Sequence, residues 1–128
     1  MYKLLLLLLL PSFRMSSNVV IHVTKAGTDI VNGRYISQNP KNVPVGFTNT
    51  CKEQGWDHIT LWKQLNDEKE SWYLHENGSY IYRNKGDGKW WIDAPDGGGV
   101  YISEELTSSW KLLPNAQLPA PTVRVENE

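Results

Sequence analysis

Residues 71–103 carry the fold. They read Ser71-Trp72-Tyr73-Leu74-His75, Glu76-Asn77-Gly78, Ser79-Tyr80-Ile81-Tyr82-Arg83, Asn84-Lys85-Gly86-Asp87-Gly88, Lys89-Trp90-Trp91-Ile92-Asp93, Ala94-Pro95-Asp96-Gly97-Gly98 and Gly99-Val100-Tyr101-Ile102-Ser103. Four runs of aromatic and β-branched residues alternate with Gly-, Asn- and Asp-rich breaks. Such runs suit a pleated, half-buried surface, and the breaks supply the backbone angles that tight turns need. The spacing predicts four short strands in an antiparallel meander. The fold class expected is all-β, a small barrel or sandwich.

Register follows from turn length. Read as a two-residue turn, Asn77-Gly78 sets His75 opposite Tyr80, Leu74 opposite Ile81 and Tyr73 opposite Tyr82. An even loop at Gly86–Gly88 sets Tyr82 near Trp91 and Ile81 near Ile92. An odd loop at Ala94–Gly98 then brings Val100 beside Ile92 and Tyr101 beside Trp91. Opposed residues share a face. One face becomes Trp72, Leu74, Ile81, Trp90, Ile92, Val100 and Ile102. The other becomes Tyr73, His75, Tyr80, Tyr82, Trp91, Asp93 and Tyr101. Amphipathic rings with a His and an Asp suit a ligand platform, because sugar C–H faces stack on aromatics while hydroxyls bond to polar tips. These seven are the candidate binding residues, for a glycan or a protein. The alternative is that both faces are buried and the rings are core.

Outward from this stretch, Val19–Val23 reads as a strand, and Asn32-Gly33 as a turn before a second strand reaching Ile36. Pro40–Pro44 reads as loop, and Val45-Gly46-Phe47-Thr48 as a third strand. Asp57 can cap a helix over Asp57–Leu65, where Ile59, Trp62 and Leu65 recur every three residues. Trp110–Leu113 is a candidate closing strand. Pro114, Pro119 and Pro121 stiffen the tail, with Thr122–Val125 returning along an edge. The organisation expected is a leader at 1–15, one β domain at 16–113 and a Pro-rich tail at 114–128.

The leader is Lys3 followed by seven leucines, Leu4–Leu10. Seven apolar residues fall far short of the ~20 that a membrane-spanning helix needs, so no transmembrane span is expected. The order of charge then apolar run is that of a secretory signal, but Pro11–Met15 holds no small-x-small cleavage pattern. A translation start at Met15 would make the segment an upstream extension and the protein cytoplasmic. As a signal it would make the protein secreted, and Asn77-Gly78-Ser79 would then be a glycosylation acceptor. Without Lys3 and Arg14, 11 basic residues face 14 acidic ones. A mildly acidic chain with no basic stripe is not a nucleic-acid binder.

Single-residue chemistry is sparse. Cys51 is the one cysteine, which excludes an internal disulfide framework and a multi-cysteine zinc site. His22, His58 and His75 fit no metal motif, and no cofactor is expected. Asp93 and Asp96 read as turn residues before calcium ligands. Cys51 with His58 lacks a third orienting group for nucleophilic catalysis. Asp93, Asp96, Glu104 and Glu105 are the acids from which a small hydrolase would draw a pair.

Several pieces recur as an ordered set: Ala26-Gly27, Val31-Asn32-Gly33-x-Tyr35, Asn77-Gly78-Ser79-Tyr80-Ile81-Tyr82, Asp87-Gly88-x-Trp90-Trp91-Ile92-Asp93, Gly99-Val100-Tyr101-Ile102 and Trp110. Together they resemble an uncharacterised Trp/Tyr/Gly-rich β module found in predicted eukaryotic proteins, often as repeats. The resemblance spans about residues 19–113 and implies a compact β module. The Cys51–Leu65 stretch is longer than in the shorter repeat forms. No activity is established for the module, so no site residue carries over. The functional expectation is a non-catalytic interaction module, with a purely structural repeat unit or a small hydrolase as alternatives. Oligomeric state stays open.

Overall fold

The computed structural model describes residues 19–128; the leader read at 1–15 lies outside them. In chain order the strands are β1 (Val19–Thr24), β2 (Gly33–Gln38), β3 (Trp72–His75), β4 (Tyr80–Asn84), β5 (Lys89–Asp93), β6 (Gly99–Ser103), β7 (Lys111–Leu112) and β8 (Thr122–Asn127). Two helices, α1 (Val45–Gln54) and α2 (His58–Leu65), fill the β2–β3 connection, and a 3₁₀ turn covers Asp29–Val31. The strands form one curled sheet, a half-barrel, in the order β7-β6-β5-β4-β3-β2-β1-β8. Every pairing is antiparallel. The mainly antiparallel β architecture is therefore as the meander predicts. Among the described residues no helix is long and apolar enough to cross a membrane.

The helix at Asp57–Leu65 forms as its cap predicts: Asp57 Oδ1 accepts the Ile59 N–H at 3.2 Å, and Asp57 Oδ2 accepts the Thr60 hydroxyl at 2.6 Å. The strand expected at Val45–Thr48 is instead the first turn of α1. Pro44 precedes the helix, and Gly55 ends it at φ 76°, a left-handed stop. Tertiary contact completes the override of β propensity. A Cβ on Gly46 would stand 2.3 Å from the Pro95 carbonyl oxygen, and one on Gly97 (φ 93°) would stand 2.4 Å from Thr50 Oγ1. The helix thus lies directly on the β5–β6 turn, and Thr50 Oγ1 donates to the Asp96 carbonyl at 3.0 Å.

Register departs from expectation at two of three hairpins. Gly78 N–H bonds to the His75 carbonyl and His75 N–H to the Ser79 carbonyl, each at 2.9 Å. The loop is therefore three residues, Glu76-Asn77-Gly78, with Gly78 at φ 102°, a hairpin form that places Gly in the left-handed position. Leu74 then faces Tyr80, and Tyr73 faces Ile81. The β4–β5 register is as expected, Ile81 on Ile92 and Tyr82 on Trp91. At β5–β6 the pairs are Ile92 on Tyr101 and Trp91 on Ile102, with an irregularity at Ile92/Asp93.

Two cores result. On one face Ile21, Val23, Val31, Tyr35, Ile81, Ile92, Tyr101, Trp110 and Val123 are buried together. Their polar tips are satisfied: Tyr35 OH donates to the Val31 carbonyl at 2.6 Å, Tyr101 OH to the Gln117 carbonyl at 2.6 Å and Trp110 Nε1 to the Leu106 carbonyl at 2.9 Å. On the other face Trp62, Trp72, Tyr80 and Tyr82 form an aromatic core against Phe47 and Leu65. Trp62 meets Trp72 edge to face at 5.8 Å and 78°, a favoured ring geometry. The chain after β7 belongs to the same body, with Ala116 and Ala120 on the first core and β8 paired along β1.

Candidate functional site

The seven residues read as a ligand platform do not share a face. Tyr73, His75 and Tyr101 fall on the first face, Tyr80, Tyr82, Trp91 and Asp93 on the helix-covered one. Tyr80, Tyr82 and Tyr101 are buried, and Tyr73, His75 and Trp91 are half-buried. The His75 ring stacks at 5.3 Å from Tyr35, and its Nδ1 lies 3.0 Å from the Arg34 carbonyl. Trp91 Nε1 donates to Asp87 Oδ2 at 2.9 Å.

Asp93 is the unusual member. It is 4% exposed, and neither its Oδ1 nor the Tyr80 hydroxyl has a hydrogen-bond partner. Burial pushes its carboxyl up to about 7; the Tyr80 hydroxyl gives a partial counterweight, short of full hydrogen-bond geometry, and Asp96 adds repulsion. Two of the acids offered as its catalytic partners are used elsewhere: Asp96 Oδ1 accepts the Gly98 N–H at 2.9 Å, and Glu104 pairs with Lys89 at 3.6 Å. Burial first, and then Asp57, push the Cys51 thiol up, away from the thiolate a nucleophile needs. Among the described residues Cys51 and His58 are not hydrogen-bonded to each other.

The first concave feature lies where the sequence reading had only loop and helix, and two others are lined in part by strand residues, His75 among them. A groove of about 480 Å³ runs between residues 40–43 and α2, with Lys41 on one wall and His58, Ile59 and Lys63 on the other. Its loop wall is pinned by two indoles. Trp62 Nε1 donates to the Pro40 carbonyl at 3.2 Å, and Trp72 Nε1 to the Asn39 and Asn42 carbonyls at 3.2 and 2.9 Å. Asn39 Oδ1 also accepts the Lys41 N–H at 2.9 Å. At the groove's end lies Asn66, 1% exposed. Its Nδ2 donates to the Asp67 and Glu70 carbonyls, while Oδ1 has no partner.

Two shallower depressions continue along this face, about 270 Å³ and about 320 Å³. The nearer shares Asn42 and Val43 with the first groove. The farther shares Gln38, Leu74 and Glu76 with the nearer. Large apolar side chains stand open beside them: Ile36 is 43%, Ile59 53% and Val45 72% exposed. The helices cover β3–β5, so β2 keeps an uncovered strip. A sequence signal existed in the two prolines bracketing Pro40–Pro44 before a capped helix, but nothing local told which side of that loop would stay open.

For metals, His22, Glu126 and Glu128 place ligand atoms within 4.8 Å of one another. His22 lies 3.0 Å from Glu126 and holds that carboxyl below its usual range. Arg34 pairs with Glu128 and Arg124 with Glu126. The cluster is neutralised by its own cations. No family model matches the chain, and neither a curated protein nor a solved structure is found to match it.

Proposed function

We propose that this domain is a non-catalytic binding module that takes an extended peptide segment of a partner protein along the strip from Ile36 to Asn66. One observation carries the reading: three adjoining depressions, two of them walled by a loop pinned through two indole N–H groups, and each bordered by one open aliphatic side chain. A pinned wall loses little entropy on binding, which favours affinity. The open side chains along the strip are Ile36, Val45 and Ile59, while Tyr80, Tyr82 and Tyr101 are spent as core and the one open indole, Trp56, lines none of the three depressions. This favours a peptide over a glycan, which needs exposed ring faces. Lys41 and Lys63 outnumber the single acid, Glu68, along the first groove and suit an acidic residue in the ligand. Burial of those three tyrosines favours the second reading, a purely structural unit with no ligand.

Selection of displayed random peptides on the protein, with Ile59→Asp as counter-target, separates the two. The module reading expects sequences that bind the parent about tenfold tighter than the variant and shift amide resonances of residues 36–45 and 58–68. If no sequence is enriched over the variant, the structural reading stands. A glycan panel run in parallel, giving the same resonance shifts, would replace peptide by glycan.

A further inference from the structure

We propose that a second copy of this chain joins the sheet edge to edge through β8, about a two-fold axis centred on Val125. Strand β8 closes one end of the sheet, and among the described residues it pairs only with β1. It runs six residues, Thr122–Asn127, with no proline, lysine or bulge; of the devices that ordinarily blunt an edge it carries only charge, at Arg124 and Glu126, which lie 3.7 Å apart within the strand. Its unpaired backbone groups are a template for another strand.

The side chains select which strand. Arg124 and Glu126 lie on the face of His22, and Val123 and Val125 on the face of Ile21 and Val23. In antiparallel pairing about an axis normal to the sheet, opposed residues share a face, so the axis must pass through a residue. Centred on Val125, it sets Arg124 against the partner's Glu126 and Glu126 against the partner's Arg124. It also sets Val125, 39% exposed, against its own copy, and Val123 against Asn127. Centring on Arg124 opposes it to its own copy, and centring on Glu126 opposes that residue to its copy while setting Arg124 against the partner's Glu128; centring on Val123 makes no charge pair. Val125 is thus the centre that forms Arg–Glu pairs without opposing like charges. Both copies then present the same face on the same side.

Pairing of one edge strand buries little area by the standard of permanent dimers, so association is concentration-dependent. Sedimentation equilibrium of the full chain up to about 1 mM should give a monomer–dimer equilibrium. Arg124→Glu and Glu126→Arg alone should each weaken it about tenfold or more, and the double variant R124E/E126R should restore it. Thermal melts establish that each variant is folded at the temperature used. Hydrogen exchange of the unaltered protein gives an independent reading, since the amides of residues 122–127 should gain protection with concentration. A protein that stays monomeric, association indifferent to single charge reversal, or a double variant no better than the singles would overturn the proposal.

Discussion

Asp93 is where single-residue physics is most exposed to test. Taking a carboxylate out of water without a full set of donors favours its protonated form, and here burial raises it from 3.8 to about 7. Below about pH 4 folded and unfolded chains both hold the proton. As the pH rises from about 4 to about 7 the unfolded chain releases it first, which favours unfolding. Stability therefore falls through that window and levels off above it. The span corresponds to a loss on the order of 4 kcal/mol. Urea midpoints across this window should decline for the parent protein and stay flatter for Asp93→Asn. A decline equally steep in the variant would assign the effect to other groups. Of the acids near it in sequence, Asp96 is tied into a turn and Glu104 into a surface ion pair.

At the scale of elements, the connection between β2 and β3 forms the walls of the groove of about 480 Å³. Its loop at 39–43 carries two prolines nearby and few apolar anchors of its own, so its position depends on indole N–H groups reaching out of the aromatic core. Trp72→Phe keeps most of the ring and removes the donor to Asn39 and Asn42. The cost expected is about 1–2 kcal/mol, because two part-buried carbonyls lose their donor. The specific consequence is amide exchange over residues 39–43 that speeds up more than the general change seen in β4–β6. Equal acceleration throughout would mean general destabilisation and no special tie to the loop. Helix α1 shows the complementary effect. Val45, Phe47 and Thr48 have strand propensity, yet glycine contact with the Pro95–Gly97 turn makes the helix the better packed choice.

For the molecule as a whole, the tail at 114–128 tests where the domain ends. Tyr101 OH donates to the Gln117 carbonyl and accepts the Thr28 N–H, Ala116 and Ala120 line the first core, and β8 covers β1. Removing residues 114–128 strips the outer side of β1 and opens that core. We expect the shortened chain to lose its cooperative thermal transition and to be cleaved rapidly by a nonspecific protease. A sharp transition within a few degrees of the parent's would make the tail an accessory.

Much of the architecture was legible in residues 71–103 and their flanks. Strand positions follow from alternating β-branched and aromatic residues, turns from Asn77-Gly78, Gly86-Asp87-Gly88 and Asp96-Gly97, the second helix from the Asp57 cap, and the returning edge from Thr122–Val125. Those signals are local: a turn residue or a cap acts through its own backbone and a few neighbours. The faces were not legible, because the side-chain period of a strand is two. One extra residue in the Glu76–Gly78 loop, and the irregularity at Ile92/Asp93, each reverse the parity of every position beyond them. That is why Tyr73 and Tyr101 part from Tyr80, Tyr82 and Trp91, and why the expected platform became two cores. The groove was equally beyond local reading, since it exists only where two indoles from distant elements hold a loop away from a helix. The amino-acid sequence by itself determined most of the strand segments and the approximate places where they turn, Val45–Thr48 being the exception that packing turned into helix. The tertiary structure alone decided which side each ring takes and which strip stays open, because parity and packing depend on contacts between residues far apart in the chain.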